Sequence, residues 1–478
     1  MPATGGARVV VIGAGVTGLT AAHTLLSSDP SATVTVIDSA PRVGGRILSG
    51  EFVGHVVDCG ADAFLARVPD AVDLCRELGL DHLLRSPARS AARVWTDGAL
   101  RPLPTGLVLG VPTDLDALAA SGIVSAAGVA RAAEDLTRTE WTDGPPGADP
   151  EGTDDQSVGH LVRTRLGDEV FERLVAPLLS GVNAGDADQL SLATGAAQLA
   201  AAARLAPSLI AALRRQLELS RAGGADPDAP VFAGLPGGTQ LLTDTLHESI
   251  LRRGGEVLLS TAATDLRREG GCWRVGASTG ALVADAVVLA LPAAPAARLL
   301  SPHAPEGAAQ LAGLEYASVA MVTAALRRAD LDCDLEGSGF LVALTDRLPA
   351  LTACSWASSK WAHLADPELA ILRVSAGRHG DTAALALDDE ALADAIATDL
   401  GTTMGFTGAF VDLRITRWND ALPQFRPGHL GRVRALRSEL DQQARGLIVA
   451  GAAHDGLGIP SCIRQARQAV LQLSEQGF

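Results

Sequence analysis

The sequence predicts an α/β protein whose nucleotide-binding parallel sheet is assembled from three separated pieces of chain, with other units inserted between them. Three observations predict this. A short apolar strand, a glycine turn and a helix open the chain at 8–26, and a second strand follows at 33–37. Companion strand signals recur between 231 and 291, and a final strand, GLIVAGAA, with a helix at 460–475 closes the chain.

The elements follow in order. RVVVI at 8–12 is a strand, Gly13 to Gly18 turns it into a helix running to about Leu26, and TVTVI at 33–37 ends at Asp38; together they read as a β-α-β unit. VPDAVDLCRELG at 68–79 reads as an amphipathic helix that Gly79 ends. Residues 110–220 have mostly helical period, broken by TDGPPGADPEGTDD at 142–155, whose Pro, Gly and acid content predicts an exposed, mobile loop. AGGADPDAP at 222–230 reads as a boundary between units. GLPGGTQLLTDTL is then a glycine turn feeding a helix, EVLLS is a strand, and LVADAVVLAL at 282–291 reads as one buried strand closed by Pro292. Strand-like runs such as SVAMVTAAL and ILRVSAG fill 315–417.

Composition narrows the function classes. Of 478 residues, 47% are hydrophobic, enough for a large core. A net charge of −16 disfavours nucleic acid and anionic lipid as partners, and an anionic ligand must meet locally placed Arg. The six Cys are scattered, which suits free thiols in a reducing, cytoplasmic setting, and the His spacing offers no metal site. The most apolar stretch, 193–213, carries Arg204 and Pro207 and reads as a buried or amphipathic helix, not a membrane span. Peripheral membrane contact through the helical stretch at about 95–190 stays open.

Gly13-Ala14-Gly15-Val16-Thr17-Gly18 is a G-x-G-x-x-G turn. The first glycine permits the turn, the second lets backbone approach a pyrophosphate, and the third lets helix and strand pack closely. The helix start offers free N–H groups to phosphate. Asp38, followed by Ser39, lies 20 residues beyond Gly18 at a strand end, where a carboxylate accepts from a ribose diol. Strand, turn, helix and acid in this order predict a bound dinucleotide.

Further segments carry a family resemblance. Arg42-Val43-Gly44-Gly45-Arg46 resembles the second glycine signature of the amine-oxidase-like flavoproteins, and AGAAHDGLGIPSCIRQA at 450–466 resembles their last flavin-contacting segment. VVDCGADAFLAR (56–67), SVGHLVRTRLGDEVFERLVAPLLSGVNAGD (157–186), LPGGTQLL (235–242), SSKW (358–361) and RW-x-x-ALPQF-x-x-GH (417–429) make the chain resemble the protoporphyrinogen/coproporphyrinogen oxidase branch over nearly its whole length. The 157–186 stretch is the most specific.

The resemblance implies FAD and a Rossmann-type domain at 1–67, 228–300 and 428–478. It implies an α+β substrate-binding domain at 68–90, 190–227 and 301–427, and a helical, membrane-proximal insertion at 91–189. It also implies that Arg42, Gly44, Gly45 and Arg46 approach the FAD phosphates and ribityl chain, that Gly60, Ala61, Asp62 and Ala63 pass along the flavin, and that Val257 holds the adenine end. Trp418 would sit by the flavin or substrate, and Gly451, Leu457, Gly458 and Ile459 would meet the ring and ribityl. Val257 and Trp418 also have a plain reading as core residues. The expected reaction is oxygen-linked oxidation of a porphyrinogen, coproporphyrinogen III before protoporphyrinogen IX, with hydride passing to flavin N5 and hydrogen peroxide released. The partners expected are this substrate, dioxygen and, transiently, a ferrochelatase.

No catalytic acid or base is assigned, because pyrrole protons can leave to water. Arg67 is a candidate for a propionate, or else a solvated Arg. Asn183 stands where the family usually has Tyr, which implies a smaller and more polar pocket. Lys360 is the single Lys of the chain; the resemblance implies a link to flavin N5 through water, the alternative being that it packs structurally within SSKW. Two rival readings remain. An amine oxidase needs an aromatic cage, which 3% aromatics and one Tyr make hard to build. A non-catalytic protein of this fold would have lost the flavin.

Overall fold

The computed structural model describes residues 6–141, 155–222 and 229–478. Residues 1–5, the predicted loop at 142–155 (all but residue 155) and most of the predicted boundary at 222–230 lie outside the described residues.

A five-stranded sheet runs in the order Glu256–Leu258, Thr33–Ile37, Arg8–Ile12, Ala286–Leu289, Leu447–Val449. Every neighbouring pair is parallel, so strands from three distant stretches share one sheet. Both faces are covered, as a parallel sheet requires. Val9, Val11, Val34 and Val36 pack under helices Val16–Ser28 and Ile459–Glu475 on one face. Val10, Ile12, Val287 and Leu289 form the other core, with Trp273 and the helix Ala293–Leu300.

LVADAVVLAL is two strands. Gly280–Ala284 ends an antiparallel three-stranded meander, and Ala286–Leu289 joins the parallel sheet. The chain changes sheet at Asp285, whose carboxylate is held 2.7 Å from Arg8 Nη2. Apolar content alone does not reveal such a break.

A seven-stranded mixed sheet forms the second layer, in the order Asp412–Pro423, Tyr316–Arg327, Leu369–Ala376, Leu351–Ser355, Gly339–Val342, Ala92–Thr96, Ala99–Pro102. Its last two strands fall inside 91–189, the stretch expected to be helical. They are joined by Asp97 and Gly98, both at positive φ (50° and 69°), the Asp-Gly turn whose twist matches a two-residue hairpin. The helices begin at Leu115.

Helices at 192–222, expected in the substrate-binding domain, bury Leu199, Ile210 and Leu213 in one core with Leu161, Phe171 and Leu174 of the 158–183 helices. Helix Pro69–Glu77, placed on sequence with the substrate domain, buries Ala71, Leu74 and Cys75 in the core of the parallel sheet.

The apolar stretch 193–213 is not one helix. It contributes to Leu192–Gly195, Ala197–Leu205 and Leu209–Ala222. Pro207 lacks an N–H and drives Ala206 to an extended backbone (φ −154°, ψ 155°), which ends the second helix. None of the described helices is long and apolar enough to cross a membrane.

Candidate active site

The opening turn divides its glycines by task. A Cβ at Gly13 would lie 2.3 Å from Ala290 O, and one at Gly18 would lie 1.8 Å from Gly13 O, so both positions must stay bare for strand and helix to pack. A Cβ at Gly15 would meet nothing within 4 Å. The middle glycine therefore faces open space, a cradle that backbone lines and a side chain would fill.

Gly15 also begins the helix Val16–Ser28, which has no side-chain cap and no acid in its first turn. Its unsatisfied N–H groups and dipole suit an anion. Asp38 Oδ2 accepts from Ala14 N–H at 2.7 Å and Oδ1 from Ala40 N–H at 2.8 Å, so the carboxylate is already aimed at the turn. Ser39 is exposed beside it.

The second glycine run packs directly on the first. Gly44 N–H donates to Ala14 O at 2.8 Å, and a Cβ at Gly45 would come 3.2 Å from Gly15 Cα. Both glycines have positive φ, 101° and 58°, a conformation glycine adopts at no steric cost. Arg42 turns inward, donating to Val43 O, Ile47 O and Gly45 O at 2.7–2.9 Å, so it holds its own loop. Arg46 reaches across to the second layer and donates to Asn419 O (2.9 Å) and Asp420 O (2.7 Å).

The next residues, Trp418 and the Gly60–Ala63 run, meet. Trp418 Nε1 donates to Cys59 O at 2.8 Å, and its ring would lie 3.7 Å from a Cβ at Gly60. Asp62 is the hub. Its Oδ2 accepts from Lys360 Nζ (2.8 Å) and Trp361 Nε1 (3.0 Å) and lies 3.1 Å from Arg373 Nη1. Burial raises the cost of its charge, but Lys360 and Arg373 outweigh that and hold the carboxyl well below the usual range.

Arg373, 5% exposed, also donates Nε to Asp58 O at 3.0 Å and Nη2 to Gly60 O. One buried guanidinium thus pins the 58–62 loop at three points. Asp58 Oδ1 accepts from Ser49 Oγ (2.6 Å) and from Thr239 N and Oγ1 (both 2.7 Å), while Thr239 Oγ1 also reaches Ala61 O at 2.9 Å. Arg373, Asp58 and Thr239 were not singled out on sequence. The clue available was that Asp58 and Thr239 lie inside VVDCGADAFLAR and LPGGTQLL, while Arg373, in ILRVSAG, is the one charge within an apolar strand.

The closing segment returns to the opening helix. Gly451 (φ 124°) sits with its would-be Cβ 3.6 Å from Thr17 Oγ1. Buried Gln465 knits the loop: Oε1 accepts from Gly451 N–H (3.2 Å) and Asp455 N–H (3.3 Å), and Nε2 donates to Gly456 O (3.2 Å). Gly458 then precedes the helix Ile459–Glu475, again without a side-chain cap. Leu457 is half-buried against the helical core. His454 is fully buried, and neither ring nitrogen finds a partner among the described residues. Burial lowers its pKa to about 3 and keeps it neutral.

Val257 lies on the outermost parallel strand, opposite Val36, and is half-buried. The candidates for substrate contact separate. Arg67 is exposed and donates to Ala229 O at 3.1 Å. Asn183 is buried at the end of helix Ala176–Asn183, its carbonyl accepting from Gln424 Nε2 at 3.1 Å. The next residue, Ala184, packs in one apolar cluster with Ala317, Val319 and Trp418, which brings the Asn183 turn to the Trp418 side of the site.

These features fit an FAD. Two uncapped helix starts, an open glycine cradle, an acid at the strand end and an orphaned buried imidazole in the closing loop are what an extended, doubly charged dinucleotide would satisfy. Gly13 to Gly18 and Asp38 would hold its adenosine and phosphates, and the 60–63 and 457–459 segments its ring.

Comparison with known proteins points the same way. The family model described as flavin containing amine oxidoreductase matches residues 16–473. A Bacillus subtilis (strain 168) protein named coproporphyrinogen III oxidase is 33% identical, over 97% of each chain. One of the same name from Mycobacterium leprae is 36% identical, over 98% of each. The crystal structure of a protein from Exiguobacterium sp. 255-15, provisionally named a protoporphyrinogen oxidase, superposes with a TM-score of 0.85 at 31% identity, covering 98% of this chain and 99% of that one.

Proposed function

Because the chain belongs to the flavin-containing amine oxidoreductase family, we propose that it is an FAD-dependent oxidase converting coproporphyrinogen III to coproporphyrin III. The observation that carries this reading is the correspondence with bacterial relatives of that name, over 97% of each chain for one and 98% for another. When bound, FAD supplies a two-electron acceptor for hydride from a methylene carbon and is regenerated by dioxygen, which leaves as hydrogen peroxide.

The chain's own residues do the rest. The helix starts at Val16 and Ile459 bind and orient the cofactor, and Asp38 takes its ribose. Arg42 and Arg46 shape the second glycine loop and tie it to the substrate layer. Trp418 and the Asn183–Ala184 turn wall the substrate side. Lys360 and Arg373, sharing Asp62, hold the 60–63 run in place and leave one net positive charge beside it. No side chain is assigned as base; pyrrole protons leave to water.

Protoporphyrinogen IX is the second reading, favoured by the name of the Exiguobacterium protein. An amine substrate is disfavoured, since the one Tyr of the chain, Tyr316, uses its hydroxyl to accept Ala293 N–H at 2.9 Å. The test is parallel assay of anaerobically prepared coproporphyrinogen III and protoporphyrinogen IX, read by porphyrin fluorescence after oxygen is admitted. Faster turnover of the first supports the proposal; faster turnover of the second moves the enzyme to the other substrate; no acceleration of either over spontaneous oxidation removes both. A cytoplasmic location and a transient hand-over to a ferrochelatase belong to the same proposal. Recovery of most of the enzyme in the membrane pellet after low-salt lysis would overturn the first, and lack of any ferrochelatase-dependent change in porphyrin release the second.

A further inference from the structure

A cleft of about 320 Å³ opens between the helices Pro305–Ala312 and His429–Gln443. That is the lower end of the range for small-molecule pockets, about 300–1,000 Å³, enough for one substituted pyrrole and its side arm and too little for a whole macrocycle. Its lining is two-sided. Leu311 and Leu436 give an apolar floor, while Gln310, Glu315, Gln424, Arg426, His429 and Arg432 give a polar wall.

The charges of that wall are not equivalent. Arg426 is neutralised by Glu315, with Nη2 2.5 Å from Oε2. His429 is buried, and burial lowers its pKa, so it stays uncharged. Asp155, the carboxylate behind the wall, accepts from Gly428 N–H (3.0 Å) and Ser191 Oγ (2.6 Å). Of the wall's two guanidinium groups, Arg432 alone lacks a carboxylate partner among the described residues. It donates only to the carbonyls of Pro427 (3.1 Å) and Arg426 (3.2 Å), and no ion pair with it forms among the described residues. A side chain at Gly428 would come 3.2 Å from its Nη1, so glycine there leaves the guanidinium its room. In a chain of net charge −16, an unneutralised Arg at a half-apolar cleft is a local attractor for an anion that the overall field repels.

The same wall touches the candidate active site twice. Gln424 donates to the carbonyl of Asn183 at 3.1 Å, and His429 Nε2 lies 2.6 Å from His454 O in the closing segment. We propose that this cleft receives one carboxylate-bearing pyrrole arm of the substrate, with Arg432 as the specificity-determining cation. The proposal rests on the porphyrinogen reading above and deepens it. A substrate with four propionates can place one here while the others lie elsewhere; one with two propionates and two vinyl groups gains less from the same Arg.

The test compares wild type, Arg432→Gln and Gly313→Leu on both porphyrinogens. Gly313 lines the cleft with an ordinary backbone (φ −80°), and a Cβ there would meet only Gln310 O at 3.5 Å and Ala309 O at 3.9 Å, so a side chain fills space without strain. Both variants are expected to raise KM for coproporphyrinogen III roughly tenfold, the scale of one charge-assisted contact, with kcat, flavin absorbance and Tm near wild type. KM for protoporphyrinogen IX should move less than threefold. Arg252→Gln, on an exposed helix face, is the control and should change neither. Unchanged KM for coproporphyrinogen III in both variants, or equal rises for the two substrates, overturns the cleft assignment while leaving the oxidase reading intact. If wild type accelerates neither substrate, the oxidase reading fails. Fluorescence titration with coproporphyrin III then decides the cleft: weaker binding to Arg432→Gln supports it and equal binding overturns it.

Discussion

Lys360 Nζ and Asp62 Oδ2 lie 2.8 Å apart, with side chains only 16% and 17% exposed. The single lysine ammonium of the chain is therefore spent on a carboxylate in the 60–63 run, and that carboxylate is shared with Arg373 at 3.1 Å. Lys360→Met removes one of two cations and leaves the loop pinned by Arg373. The expected outcome is retained FAD and a fall of about tenfold in flavin reoxidation by dioxygen, equal to about 1.4 kcal/mol in barrier. Stopped-flow absorbance checks it, and an unchanged rate would assign Lys360 to packing alone.

Arg373→Ala should be worse for the fold than Lys360→Met. The substitution empties three contacts to the 58–62 loop and weakens the neutralisation of a buried Asp62. Breaking such a pair from one side costs about 3–5 kcal/mol. Urea unfolding should show that loss, accompanied by weaker FAD retention on a desalting column; a midpoint within error of wild type would refute the clamp.

Gly15 and Gly18 should separate cofactor binding from folding. Gly18→Ala puts a methyl 1.8 Å from Gly13 O and should lower Tm of both apo and holo protein. Gly15→Val has room in the apo chain but fills the cradle, so apo Tm should hold while FAD affinity falls by at least tenfold. Thermal melts with and without added FAD distinguish the two.

Buried histidines predict the acid side of the stability curve. His454, with pKa lowered to about 3, and His23, lowered to about 4, are both held neutral, chiefly by burial. Their folded-state values lie below the ordinary 6.5, so the unfolded chain binds protons that the native one refuses. Stability is full above pH 6.5 and falls as pH drops from 6.5 toward 4, by about 1.4 kcal/mol per pH unit for each such group. His454→Phe should remove one group's share of that slope. Urea midpoints between pH 4.5 and 7.5 measure it, and an unaltered slope would show that His454 protonates in the native state.

Local pattern in the sequence determined the glycine turns at Gly13 to Gly18, Gly44-Gly45 and the closing segment, because they depend on backbone geometry, and backbone geometry is written in residue type and spacing. The same holds for the alternation of strand and helix that marks 8–37 and 446–475. Helix ends and sheet membership were less legible. The break at Ala206 follows from Pro207, but the change of sheet at Asp285 depends on Arg8, 277 residues away. The hairpin around Asp97-Gly98 carried a readable turn, yet its place at the edge of a sheet whose other strands begin at 316 was set by long-range pairing. The tertiary structure alone decided which charges meet. Arg373 looks in sequence like one charge in an apolar strand, and Arg432 like one of many surface Arg. Folding buries the first on the 58–62 loop, and leaves the second with backbone carbonyls as its acceptors at the mouth of a cleft. Charge pairing is a property of distance in space, which spacing along the chain does not encode.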